Sequence, residues 1–117
     1  MDMRRHLIRL ITLSVLEEMG DRYEGVIAEV IEEPVRNKFK GTKNLEPVIV
    51  FGDGWRYVPN IAARRALIGF WGSETDDWIG RRLIVFRTPM QRKDAKSETT
   101  ITRWEKRVML PLGSGRS

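Results

Sequence analysis

A mainly β domain with one helix set between its third and fourth strands is predicted, on three observations. Five short β-rich runs, one of them ambiguous, cover residues 23–33, 47–51, 55–59, 81–87 and 99–110. Apolar residues at helical spacing fill 61–71 between the third and fourth runs. Basic residues collect after the first run and between the last two. Strand-strand-strand-helix-strand-strand is the order of an OB-fold, a five-stranded Greek-key barrel that commonly holds single-stranded nucleic acid. The expected architecture is therefore a five-stranded OB-like barrel over residues 21–110, with a short helical turn at 73–80, an N-terminal extension at 1–20 and a disordered tail at 111–117.

Each element has a local reason. Ser14 and Glu17 have capping-box spacing and Gly20 can end a short helix, which turns Leu7, Leu10, Ile11 and Leu16 inward. An extended reading of 7–13 fits nearly as well, because a short apolar run does not distinguish the two. Residues 23–33 are rich in Val and Ile and are expected to stop at Glu33-Pro34, where proline removes a ladder donor. Residues 35–46 read as a long loop, interrupted by Asn37, Gly41, Thr42 and Asn44. Gly52-Asp53-Gly54 between two β-rich runs makes a hairpin. Asn60 is a helix N-cap, Ala63, Ala66, Leu67 and Phe70 form the buried stripe, and Gly72 is the stop. In the turn at 73–80, Glu74, Asp76 and Asp77 sit where a helix start favours negative charge, and Trp78 and Ile79 should pin the turn to the barrel. Residues 81–87 form a strand, 88–98 a second basic loop, and 99–110 the last strand.

Composition narrows the chemistry. At 117 residues the chain is one domain, able to bury roughly 65% of its unfolded surface without a staple. It has no cysteine and one histidine, His6, so thiol nucleophiles and zinc ribbons are excluded. The serines have no neighbouring base, the glycines occur singly, and Asp76-Asp77 lacks further metal ligands. No catalytic residue, metal or cofactor is expected. The most apolar window, 7–16, is broken by Arg9 and far short of the ~20 residues a membrane span needs, so the chain reads as cytoplasmic.

A net charge of +5 and a pI near 10 attract polyanions. The first loop supplies Arg36, Lys38, Lys40 and Lys43 with no acid among them. The second supplies Arg87, Arg92, Lys93 and Lys96, and the last strand adds Arg103. Single-strand binders pair such cations with aromatic platforms that stack bases. The candidate platforms are Phe39, flanked by two lysines; Trp55 and Tyr57, on one face of the third run; and Trp104. One face of the Trp55–Tyr57 strand must be interior, and alternation leaves open which. The two basic stretches are expected to lie on one side of the scaffold.

Pro47-Val48-Ile49-Val50-Phe51, then Tyr57-Val58-Pro59-Asn60, Ala66-Leu67 and Thr75-Asp76-Asp77-Trp78-Ile79-Gly80-Arg81-Arg82, resembles a family of small phage and prophage proteins over roughly residues 22–110. The TDDWIG segment with its upstream Asn60 is the sharpest element. The resemblance implies an OB-type barrel that binds single-stranded DNA, with Asp76, Asp77 and Trp78 as a structural signature and no catalytic residue to carry over. The chain departs from the pattern in longer, more basic connections after Glu33 and Arg87. The expected function is thus non-catalytic binding of single-stranded DNA, in preference to RNA, with low sequence specificity, in phage or prophage replication or recombination. The alternative is a protein-interaction barrel that inhibits or adapts a host factor. Homo-oligomers through an edge strand fit either reading.

Overall fold

Strand β1 (Arg22–Arg36) is the spine of the fold. In the computed structural model, which describes residues 9–36, 43–94, 96 and 99–112, β1 pairs with two different neighbours along its length. Its first five residues pair with β4 (Arg82–Lys93), and residues 27–36 pair with β2 (Lys43–Phe51). Ala28 is the extra residue of a bulge between Ile27 and Glu29, where the change of partner occurs. β3 (Arg56–Tyr57) extends the sheet beyond β2, and β5 (Thr100–Met109) extends it beyond β4. The result is one antiparallel sheet ordered β3-β2-β1-β4-β5.

One face of this sheet carries the core. Ile27, Ile49, Phe51, Tyr57, Leu83 and Val85 point inward and pack with Ala63 and Leu67 of helix α2 (Ile61–Trp71). Trp78, from a 3-10 turn at Thr75–Trp78, closes the group and donates from Nε1 to the Gly72 carbonyl at 2.9 Å. Helix α2 begins and ends where the sequence places it. Asn60 Oδ1 accepts from the Ala63 amide at 2.8 Å, and Gly72 adopts φ 93° at the stop. Ile79, expected to help pin the turn, is instead solvent-exposed; Trp78 pins it, together with the Gly80 amide, which donates to the Ile27 carbonyl at 2.7 Å.

The sheet is not closed into a barrel. Closure would need a ladder between β3 and β5, but β3 is two residues long and its outer edge is already taken. Residues 9–11 run beside it in parallel: the Ile11 amide donates to the Arg56 carbonyl at 2.8 Å, and the Arg56 amide to the Arg9 carbonyl at 2.7 Å. β5 meets this segment through a side chain, Lys106 Nζ donating to the Ile11 carbonyl at 3.2 Å. Residues 9–20 are therefore built into the fold. Ile11 and Leu16 are fully buried in the core, each worth about 1.5–3 kcal/mol of apolar burial. Helix α1 (Leu13–Glu18) is capped by Thr12, whose hydroxyl accepts from the Val15 amide at 3.2 Å, two residues before the expected cap at Ser14.

Two strand ends also differ from expectation. Pro34 does not stop β1, which continues to Arg36, and Pro89 lies inside β4, which continues to Lys93. Both prolines sit where the strand has a partner on one side only, so the missing N–H leaves no gap in a ladder. Most of the expected second basic loop is thus strand, and the connection shrinks to residues 94–99. Likewise Arg36 and Lys43 pair across the end of the β1–β2 ladder instead of lying in a loop.

Candidate nucleic-acid interface

Alternation along each strand divides the expected site between two faces. On the inner side, Arg87 continues the column of Leu83 and Val85, and lies opposite Lys106. Its guanidinium is enclosed: Nε donates to Asp21 Oδ1 at 2.5 Å, Glu17 lies at 3.6 Å, and Trp104 stacks on it with 4.0 Å to the ring centroid. Asp21 reaches this position from a turn in which its own φ is 75°. With 14% of its side chain exposed and two carboxylates around it, Arg87 holds α1 to β4 and is unavailable to a phosphate. Trp104 is 43% exposed, with its partner face occupied by Arg87.

Tyr57 is also interior. It is fully buried, so it offers no platform for a base. Its hydroxyl has no hydrogen-bond partner among the described residues, and burial raises its pKa above the ordinary tyrosine value. Lys106 Nζ lies 5.6 Å from the Tyr57 ring centroid, and desolvation pulls the lysine's pKa down. Trp55 packs against the same core and is covered by the Arg9 guanidinium at 4.7 Å. The interior face of that strand is therefore the aromatic one, and Arg56 faces outward.

Lys38, Phe39 and Lys40 lie outside the described residues. The ladders send the β1–β2 hairpin off the C-terminal end of β1, and the β4–β5 hairpin past its N-terminal end. In register, Arg36 and Lys43, the described residues of the first stretch, stand at the end of β1 opposite to Arg87–Lys93, and a continuous track through these residues is not what the sheet assembles.

What the sheet does assemble is an arginine face. On the outer side of β1, β4 and β5, cross-strand rows read Val26–Arg82, Glu24–Ile84–Met109, Arg22–Phe86–Arg107, Thr88–Glu105, Met90–Arg103 and Arg92–Ile101. Successive rows are roughly 7 Å apart, two residues along a strand. Five arginines thus share one face with two glutamates. Glu24 sits between Arg22 at 3.4 Å and Arg82 at 3.5 Å. Glu105 accepts from Arg92 and, at 3.2 Å, from Arg107; these bonds, that from Arg92 foremost, hold its carboxyl below the usual range. Arg103 has no acidic partner among the described residues. Lys93 falls on the opposite face, and Lys96 is exposed in the connecting turn, its amide bonded to Asp94 Oδ1 at 3.0 Å.

The other half of the outer surface is of mixed charge. Glu29, Glu33 and Glu46 lie on the outer face of β1–β2, where Arg56 bonds Glu33 at 2.6 Å and Arg64 of α2 bonds Glu46. Of the residues singled out from sequence, the arginine face includes Arg92 and Arg103. Arg22, Arg82 and Arg107 were missed, because only the β1–β4–β5 register places them beside the others. Nothing in a one-dimensional pattern pairs Arg82 of β4 with Glu24 of β1.

No described helix is long and apolar enough to cross a membrane. No protein-family model matches this chain, and neither a curated protein nor a solved structure matches it.

Proposed function

We propose that this chain is a non-catalytic, OB-like protein that binds single-stranded nucleic acid, DNA in preference to RNA, with little sequence selectivity. In this reading it is of phage or prophage type and serves replication or recombination. The observation that carries the reading is the outer face of β1, β4 and β5, where five arginines are interleaved with Phe86, Met90 and Ile101. Guanidinium groups match phosphate geometry in a two-pronged fork, and apolar or aromatic side chains between them suit base faces. The ion pairs to Glu24 and Glu105 are solvent-screened surface pairs, so phosphates can replace these carboxylates at small cost. The strand order also supports it: β3-β2-β1-β4-β5 with a helix between β3 and β4 is an OB-type order opened at the β3–β5 seam.

Fluorescence anisotropy of a labelled oligo-dT, titrated with wild type and with the double variant Arg103→Glu/Arg107→Glu, tests the reading. Each single-strand phosphate contact is worth about 0.7 log unit per decade of salt, so losing two lowers affinity roughly 25-fold at 0.1 M relative to a 1 M reference. Both side chains are exposed, and the unfolding midpoint of the variant should stay close to that of wild type. A folded variant that binds as wild type does removes the interface from this face. Wild type that ignores oligo-dT even at low salt refutes nucleic-acid binding and leaves the protein-interaction reading in its place.

A further inference from the structure

The arginine face contains a cleft whose apolar part the phosphate contacts do not use. It is floored by Ile84, which is buried on the outer side of β4, away from the main core. Arg22 and Glu24 of β1 form one wall, and the chain leaving β5, residues 109–112, forms the other. Its volume is about 460 Å³, within the range of small-ligand sites. Met109 and Leu112 leave apolar surface exposed at the rim. The floor and one wall are apolar, whereas the opposite wall presents one guanidinium and one carboxylate.

We infer that this cleft holds one unstacked base of the bound strand, with a preference for bases that carry an exocyclic amino group. The inference rests on the nucleic-acid reading above. Position is the first argument. The row Glu24–Ile84–Met109 lies between the row of Arg82 and the row of Arg22 and Arg107, so a backbone following the arginines passes the mouth of the cleft. Chemistry is the second. A heteroaromatic ring has two apolar faces, suited to the exposed Leu112 and the pliable Met109 side chain, and a polar edge. Glu24 is an acceptor-only group at the rim; a carboxylate takes a hydrogen bond freely from the amino group of cytosine or adenine, whereas thymine's one donor on that edge, N3–H, is flanked by two carbonyl oxygens that repel it. Arg22, 3.4 Å from Glu24 in the free protein, turns to the backbone when a strand binds and leaves the Glu24 oxygens free to accept from the base.

The test compares three strands of equal length and charge: oligo-dC, oligo-dT and an abasic backbone. Each is titrated against wild type and against Met109→Ala/Leu112→Ala, whose changed side chains are exposed and leave the core untouched. Wild type should bind oligo-dC several-fold more tightly than oligo-dT and about tenfold more tightly than the abasic strand. The double variant should lose most of this tenfold while holding the abasic strand as wild type does. Equal binding of base-bearing and abasic strands overturns the cleft and leaves the arginine face standing. A base advantage that survives the double variant places the base contacts elsewhere and also overturns the cleft. Failure of wild type to bind any strand overturns the cleft together with the reading beneath it.

Discussion

Replacing Tyr57 with phenylalanine should stabilise the fold. The side chain is fully buried, its ring packs in the core, and its hydroxyl has no hydrogen-bond partner among the described residues. A polar group buried in this state costs about 1–3 kcal/mol relative to water. Removing one oxygen also gives up some dispersion contact, which takes back a fraction of that gain. The phenyl ring still presents its face to Lys106, 5.6 Å away, so that attraction is largely kept. The net expectation is about 1 kcal/mol of added stability, or a rise in Tm of roughly 4–6 °C for a domain of this size. Urea unfolding followed by tryptophan fluorescence should show a higher midpoint at an unchanged slope. The pH dependence has a definite sign. Burial raises the Tyr57 pKa in the folded state, so its contribution is intact below the ordinary value of 10.0 and is lost as pH climbs above it. The phenylalanine variant lacks this loss, and its advantage should widen above pH 10. Lys106, whose depressed pKa acts in the opposite sense, is present in both proteins and cancels in the difference. Destabilisation by 1 kcal/mol or more would show that the hydroxyl is bonded, and an advantage that does not grow with pH would refute the burial argument.

Other consequences are more local. A Cβ at Gly25 would run into the Tyr23 hydroxyl, which donates to Asp53 Oδ1 at 2.7 Å, so Gly25→Ala should displace that ring and cost about 1–3 kcal/mol in chemical denaturation. Asn60→Ala removes the side-chain cap of α2 and should cost about 1 kcal/mol by the same measurement. Glu105→Gln frees Arg92 and Arg107 from a surface carboxylate, so affinity for oligo-dT should rise about two- to fivefold in anisotropy titrations.

The parts of the fold that were legible in sequence are those whose determinants are local. Asn60 and Gly72 mark both ends of α2 because cap chemistry is written in single residues. Gly52-Asp53-Gly54 specifies its turn for the same reason; Gly54 adopts φ 95°, and Asp53 Oδ1 accepts the Trp55 amide at 3.2 Å. Pro34 misled, because it is read as a strand breaker unless one knows that it has an open edge beside it. The N-terminal segment misled in the other direction. Whether 9–11 would pack as helix or strand depended on a vacant edge at β3, which no residue of that segment encodes. The arginine face was hidden for a related reason. Arg22 is separated from Arg107 by most of the chain, and only the β1–β4–β5 register sets them on either side of Phe86. The inward side of the Trp55–Tyr57 strand was equally undetermined, since either alternation satisfies period two.

The salt dependence of single-strand binding tests the central claim most directly. If all five arginines of the outer face contact phosphates, a log–log plot of affinity against salt has a slope near −3.5, using ~0.7 per contact, and affinity falls about a hundredfold from 50 to 200 mM. Arg103→Glu/Arg107→Glu should flatten the slope to about −2. A wild-type slope shallower than about −1, or a double variant that keeps the wild-type slope, would contradict the assignment of this face to nucleic acid.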